Sequence, residues 1–85
     1  MWTIYLIQNT VTSEFYFGMT SNLRRRIEEH NRHQNTSTNR KHGEWVLIYA
    51  EAYRDKRDAL LRERKLKQHG SSKHELLKRL LHSKL

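Results

Sequence analysis

The stretch WTIYLIQNTVTSEFYFGM, residues 2–19, decides the fold of this chain. Its first part, residues 2–8, is β-branched, aromatic and apolar, a composition that favours a strand. The polar residues 9–13 are typical of a turn, and residues 14–19 return to the composition of a strand. Two short strands so close in sequence predict an antiparallel hairpin.

A helix is predicted to follow the hairpin directly. Residues 20–22 are Thr, Ser and Asn, which are all suitable N-caps for a helix over residues 23–33. The apolar positions of this helix are Leu23 and Ile27, so we expect it to bury only a narrow stripe. The polar, aperiodic residues 34–43 then predict a loop.

A third strand and two more helices are predicted in the second half of the chain. The continuous apolar run at residues 45–50 predicts a central strand that is buried on both faces. A helix is expected over residues 55–69, with its first residue, an Asp, as the N-cap and Gly70 at the C-cap. Ser72 and Glu75 match a capping box, which would open the last helix. The apolar residues of that helix are Leu76, Leu77, Leu80 and Leu81.

The order of these elements is strand, strand, helix, strand, helix, helix. This order predicts an α+β fold in which helices flank a small three-stranded antiparallel sheet. A chain of 85 residues is long enough for a thin core, so we expect a single domain over residues 1–85.

The chain is strongly basic and contains no cysteine. It has 17 Lys plus Arg against 9 Asp plus Glu, which gives a formal net charge of +8 at pH 7. Nucleic acid is therefore the first partner to consider, because neutralised phosphates release condensed counterions. The lack of cysteine excludes disulfides, thiolate metal sites and cysteine nucleophiles. Without a membrane-spanning apolar run or a signal peptide, we expect a cytoplasmic protein that makes no membrane contact.

Glu63 departs from the apolar pattern of the second predicted helix. It lies within one turn of Ala59, Leu60 and Leu66, so its carboxylate is expected on the inward face and at least half buried. One interpretation is a glutamate at the edge of the apolar stripe that either extends its carboxylate to solvent or pairs with an arginine. The other is a ligand for a hard divalent cation such as Mg²⁺, which keeps most of its waters and needs few carboxylates.

Other candidates for phosphate chemistry lie on the first helix and on the hairpin. Arg26 and His30 are one helical turn apart, so both can address one phosphate, although consecutive arginines are usually a solvated face. Tyr5 and Tyr16 can project from the same face of the paired strands, although strand tyrosines are more often packing residues. Together with Glu63, these groups suit metal-assisted hydrolysis of a phosphodiester.

These residues resemble the GIY-YIG nuclease family. TIY at residues 3–5 and YFG at residues 16–18 are similar to the two signature triplets of that family. Residues 20–30 resemble the helix after the signature, and the Ala-x-x-x-Glu-x-x-x-Lys pattern at residues 59–67 resembles the metal-binding helix. The likeness covers nearly the whole chain. It is strongest to small single-domain bacterial members and distant to the catalytic N-terminal domain of the excision-repair subunit UvrC.

The resemblance implies a metal-dependent endonuclease that acts on DNA. Tyr5 and Tyr16 match the signature tyrosines, one of which helps to deprotonate or position the attacking water. Arg26 matches the arginine that stabilises charge on the phosphate, and His30 matches a histidine that assists proton transfer in some members. Glu63 matches the sole carboxylate ligand of Mg²⁺ or Mn²⁺. Since a free phenol is a poor base at neutral pH, nearby cations are expected to lower its pKa.

The chain departs from the family pattern at several positions. Thr3 and Phe17 replace a glycine and an isoleucine of the triplets, and Met19 stands where some members place a lysine near the phosphate. Some relatives use an asparagine after the metal glutamate, and no residue here is assigned that role. The alternative hypothesis is therefore a nucleic-acid-binding module of the same fold with weak or no cleavage.

Basic residues outside the catalytic set are expected to contact phosphates under either hypothesis. They are Arg25, Arg32, Arg40, Lys41, Arg54, Lys56, Arg57 and Lys67. The expected partner is DNA, with RNA as an alternative. Structure-selective cleavage in DNA repair, recombination or processing and nonspecific nicking are equally compatible with the sequence. A third hypothesis is a protein partner that docks on the leucines of the last helix, although such leucines more often belong to the domain's own core.

Overall fold

The computed structural model describes residues 1–32, 43–68 and 70–85. It confirms the predicted α+β class and the order strand, strand, helix, strand, helix, helix. The elements are β1 (Trp2–Asn9), β2 (Phe15–Thr20), α1 (Leu23–Asn31), β3 (Trp45–Tyr53), α2 (Lys56–Lys67) and α3 (Ser71–Arg79). The predicted loop over residues 34–43 lies, except for Gly43, outside the described residues.

The three strands form one antiparallel sheet with β1 in the middle. Its order is β2-β1-β3, so the prediction that the apolar run 45–50 is a central strand is wrong. The continuous burial expected for that run is found instead in β1, where every residue from position 4 to position 9 is buried. On β3 the side chain of Leu47 is exposed, because an edge strand has a neighbour on one side only.

Helices cover both faces of the sheet and divide the core into two layers. Even-numbered residues of β1 and odd-numbered residues of β2 face α2 and α3, whereas odd-numbered residues of β1 and even-numbered residues of β2 face α1. The buried residues of the first layer are Ile4, Leu6, Phe17, Ala59, Leu66 and Leu76. The buried residues of the second layer are Tyr5, Ile7 and Trp45, which pack with Tyr16, Leu23 and Ile27.

Strand β3 is longer than its apolar run. It continues past residue 50 to Tyr53, and Glu51 lies within it. The carboxylate of Glu51 accepts hydrogen bonds from the hydroxyls of Tyr49 and Tyr53 and from the guanidinium of Arg62. A polar residue that ends the apolar pattern can therefore remain in the strand, because α2 supplies a cation for it.

The first helix is capped by Asn22, one of its three candidates, and the predicted cap Asp55 of the second helix is confirmed. The side chain of Asn22 accepts a hydrogen bond from the backbone N–H of Arg25, and that of Asp55 accepts one from Arg57. Helix α1 ends at Asn31, and the predicted end at residue 33 lies outside the described residues.

The predicted junction between the last two helices is wrong. Helix α2 ends at Lys67, and Gly70 is the N-cap of α3 rather than the C-cap of α2. Helix α3 starts at Ser71 without a side-chain hydrogen bond at its cap, so Ser72 and Glu75 form no capping box. The earlier start places Ser72 inside the first turn, where its hydroxyl is past the capping position. None of the helices in the described part of the chain is long and apolar enough to cross a membrane.

Candidate active site

The two signature tyrosines project from the same face of the sheet, as predicted. Tyr5 lies opposite Gly18 and Ile7 lies opposite Tyr16, so all four residues face α1. The phenol of Tyr5 lies directly over Gly18, where a Cβ would overlap its ring and oxygen. The missing side chain of Gly18 therefore makes the space in which the Tyr5 ring lies.

His30 lies beneath both tyrosines. Its Nε2 is 2.8 Å from the Tyr5 Oη, and its ring centroid is 5.2 Å from that of Tyr16. The imidazole is fully buried on the inner face of α1, and the ring of Trp45 lies 6.5 Å from it. His30 thus points away from the solvent in which a phosphate would arrive, and the prediction that His30 and Arg26 address one phosphate together does not fit this geometry.

Burial keeps the Tyr5–His30 pair neutral. Burial, followed by the nearby Tyr16 phenol, raises the pKa of Tyr5 well above its ordinary value, and Arg26 opposes that shift only partly. The expectation that cations lower the phenol pKa is therefore wrong for Tyr5. Burial, together with the positive charge of Arg26, lowers the pKa of His30. At neutral pH one member of the pair donates the shared proton and the other accepts it.

Arg26 lies beside this pair at the edge of a solvent-facing cleft. The cleft has a volume of about 160 Å³ and is lined by Thr20, Ser21, Asn22, Arg25, Arg26 and Glu29. The Nε of Arg26 is 3.7 Å from a Glu29 oxygen, and that Nε is buried without a hydrogen-bond partner among the described residues. The side chain is 37% exposed, so its guanidinium is accessible to an anion.

Sequence reasoning did not single out Glu29. Its carboxylate pairs with Arg26 and raises the pKa of Tyr5, and it opposes the lowering of the His30 pKa. Its spacing indicates a place near the site, because Glu29 lies three residues after Arg26 and one before His30 on the same helix.

Glu63 reaches the site from the other layer of the fold. Its side chain is 20% exposed, which agrees with the expected burial. Its cation partner is Lys67 rather than an arginine, with the Nζ 3.6 Å from a carboxylate oxygen. The same Nζ lies 5.4 Å from the centroid of the Tyr16 ring, and the charge of Glu63 contributes to the raised pKa of Tyr5. Lys67 therefore lies against Tyr16, and the charge of Glu63 is close enough to act on Tyr5.

A metal ion at Glu63 would have one protein carboxylate as its ligand. Within residues 1–32, 43–68 and 70–85, no group of three or more His, Cys, Asp or Glu side chains is placed to hold a metal. This donor set does not fit a structural zinc site, which takes four protein ligands. It fits Mg²⁺, which keeps several waters and takes its remaining ligands from substrate phosphates.

Met19 does not point toward the tyrosines. It pairs with Ile4 on β1 and packs against the core layer that faces α2 and α3. A lysine at this position would therefore project from the face of the hairpin opposite to the two tyrosines. This placement separates Met19 from the Tyr5–His30 pair.

The remaining basic candidates differ in their availability. Arg25 is exposed at the cleft, and Arg54 is exposed near the start of α2. Three others have partners in the structure: Arg32 with Glu28, Arg57 with Asp55, and Lys56 over the ring of Trp2. Arg40 and Lys41 lie outside the described residues.

A family model and a solved structure are similar to this chain. The model of the GIY-YIG catalytic domain matches residues 1–76. The solution NMR structure of the UPF0213 protein BH0048 from Bacillus halodurans is similar, with a TM-score of 0.57 and 26% identity over 95% of this chain and 86% of that chain. No curated protein matches. The family match spans the hairpin, α1, β3, α2 and part of α3, and the chain therefore belongs to the GIY-YIG nuclease family.

Proposed function

We propose that the protein is a divalent-metal-dependent endonuclease that hydrolyses phosphodiester bonds in DNA. The observation that supports this most directly is that Arg26 and Glu63 are both close enough for their charges to act on Tyr5, which is hydrogen-bonded to His30 in a neutral pair. A binding module needs basic side chains but has no use for a buried tyrosine–imidazole pair next to a carboxylate.

Arg26 and Glu63 supply the charges for this reaction. Arg26 faces the cleft, and its guanidinium binds the scissile phosphate and stabilises the negative charge that develops on it. Glu63 holds the divalent ion, which when bound polarises the phosphate and the leaving oxygen. The net charge of +8 favours the approach of the polyanion.

Tyr5 and His30 handle the proton of the attacking water. The Tyr5 hydroxyl accepts that proton while it donates its own proton to Nε2 of His30, which is 2.8 Å away. This relay avoids a Tyr5 phenolate, which burial disfavours, and it uses an imidazole that is neutral at pH 7. Burial and Arg26 disfavour the imidazolium that results, and the charge of Glu29 offsets them in part.

A cleavage assay tests the proposal. Single-stranded, duplex, flap and branched DNA, with matched RNA, would be incubated with Mg²⁺, Mn²⁺ or EDTA. We expect metal-dependent cleavage of DNA, abolished in Glu63→Gln and slowed about a hundredfold or more in Arg26→Ala. The exposed Arg24→Ala variant is the matched control, and it should cleave at close to the wild-type rate.

Three results would overturn the proposal. Full cleavage by Glu63→Gln or Arg26→Ala would remove those residues from the site. An absence of cleavage on every substrate, together with tight and salt-sensitive binding, would favour the nucleic-acid-binding module. Cleavage confined to the RNA arm would replace DNA by RNA as the substrate.

A further inference from the structure

Lys67 holds the one carboxylate that the proposed function assigns to a divalent ion. We propose that Lys67 is a built-in counter-cation, which neutralises Glu63 in the metal-free protein and leaves that carboxylate when the ion binds, while staying against the ring of Tyr16. This inference rests on the proposed function, because it takes Glu63 as the metal ligand.

The geometry of the Glu63–Lys67 pair is that of a loose contact. The Nζ–Oε2 distance is 3.6 Å, whereas a charge-assisted hydrogen bond is about 2.7–2.9 Å long. The side chain of Lys67 is 48% exposed, so its ammonium stays hydrated, while the Glu63 side chain is 20% exposed. A hydrated, weakly held cation can be exchanged for another cation at little cost.

Tyr16 gives Lys67 a second contact that does not depend on Glu63. The Nζ lies 5.4 Å from the centroid of the Tyr16 ring, within the range of about 6 Å for a cation–π interaction. When an ion takes the carboxylate, the ammonium can therefore remain over the ring. This position keeps a positive charge beside the tyrosines, where the substrate phosphate is expected.

The spacing on α2 permits both contacts at once. Glu63 and Lys67 are four residues apart on α2, with the acidic residue first, which is the favourable order for an ion pair. A half-buried carboxylate without a partner would destabilise the protein. Lys67 supplies that partner in the absence of metal, so the site is assembled before the ion arrives.

The test measures metal binding without DNA. Mg²⁺ would be titrated into ¹⁵N-labelled protein, and the amide shifts of α2 would be followed by NMR. We expect Lys67→Met to bind Mg²⁺ about tenfold more tightly, because a positive charge next to the ion's position is removed. The spectrum of each variant also shows directly whether it is folded.

Lys56→Met is the matched control. Lys56 is on the same helix, it also lies over an aromatic ring, and the substitution removes the same charge. It is seven residues from Glu63, roughly 10 Å along the helix, which exceeds the screening length of about 8 Å at physiological salt. Its affinity for Mg²⁺ should stay within about twofold of the wild-type value.

A Glu63→Gln variant separates this inference from the proposed function. If Glu63→Gln loses Mg²⁺ binding but Lys67→Met binds like the wild type, the counter-cation role is wrong and the metal ligand stands. If Glu63→Gln binds Mg²⁺ as tightly as the wild type, the metal assignment itself is wrong. The Lys67 methylene protons should also stay ring-current shifted by Tyr16 at saturating Mg²⁺, and loss of that shift would refute the retained contact.

Discussion

Gly18 determines where the phenol of Tyr5 can lie. The two residues face each other across the hairpin, and the ring of Tyr5 fills the space that a side chain at Gly18 would take. The Tyr5 side chain is held in this position, because it is 2% exposed and its hydroxyl is hydrogen-bonded to His30. The glycine of this triplet therefore acts on the site through packing rather than through chemistry.

Gly18→Ala should move Tyr5 and break its hydrogen bond to His30. We expect the free energy of unfolding to fall by about 1–3 kcal/mol, the usual cost of overpacking, and cleavage to fall with it. Urea denaturation measures the first effect. Gly70→Ala is the control, since a Cβ there meets nothing within 4 Å, and its change should stay below about 1 kcal/mol. Equal stability of the two variants would contradict the packing argument.

His30 should make the protein less stable in mild acid. Burial lowers its pKa in the folded state, so below pH 6.5 the unfolded chain binds more protons than the folded one. Stability from this group is complete above pH 6.5 and is lost as the pH falls, by no more than about 1.4 kcal/mol per pH unit. Urea denaturation between pH 7.5 and pH 5.5 tests this.

Two variants show whether His30 causes the acid effect. His30→Gln has no titrating imidazole at this position, so its stability should change less between pH 7.5 and pH 5.5. The exposed His74→Gln should keep the wild-type slope. An unchanged slope in His30→Gln would assign the effect to another group.

At the scale of the elements, β3 and α2 are joined through Glu51. Its carboxylate accepts hydrogen bonds from Tyr49 at 2.5 Å, from Tyr53 at 2.8 Å and from Arg62 at 2.6 Å. Burial alone would raise the pKa of Glu51, but these donors outweigh it and hold that pKa below its ordinary value. Burial and the same carboxylate raise the pKa of Tyr53 to about 12.

Glu51→Ala should therefore loosen α2 on the sheet. Three donors lose their acceptor in one substitution, and we expect a loss of about 2 kcal/mol in the free energy of unfolding. Glu75→Ala on the exposed side of α3 is the control and should change stability by less than about 0.5 kcal/mol. Thermal and urea denaturation give both values, and a neutral Glu51→Ala would show that the cluster contributes nothing net.

The leucines of α3 and of the turn after it have different roles. Leu76 is 4% exposed and belongs to the core, and Leu77 and Leu80 pack against that core in part. Leu81 is 71% exposed. Most of this set is thus the domain's own core, which weakens the hypothesis that it is a docking surface.

At the scale of the whole molecule, the net charge predicts how DNA binding responds to salt. If three phosphates are neutralised, a fourfold increase in salt should weaken binding roughly 40-fold. Arg25→Ala should reduce the slope by about one, because Arg25 is exposed at the cleft. Fluorescence anisotropy across a salt series measures these slopes.

Arg57→Ala is the comparison for that slope. Arg57 already contacts both oxygens of Asp55, at 2.8 and 3.1 Å, so it should contribute less to phosphate binding than Arg25. Equal effects of the two substitutions would show that ion pairing within the protein does not decide which arginines meet DNA. Binding that is independent of salt would contradict a nucleic-acid partner altogether.

The sequence by itself determined the elements and their order, because these depend on local composition. The apolar strand at the start of the chain, Asp55 as a cap and Glu63 on an inward helical face could be predicted from composition and spacing. Asn22 was one of three candidate caps, and the structure selected it. The predicted pairing of the two strands allowed Tyr5 and Tyr16 to share a face, and the register Tyr5–Gly18 and Ile7–Tyr16 places them there.

Only the tertiary structure decided which strand is central and which side chains of the site contact one another. Both depend on partners that are distant in sequence: β1 has neighbours on both sides, and the Tyr5 phenol is buried against His30 rather than beside a cation. The pKa of Tyr5 is therefore raised, although the composition around it suggested the opposite. Burial is a property of the packed chain, and local spacing cannot measure how much solvent the packing removes.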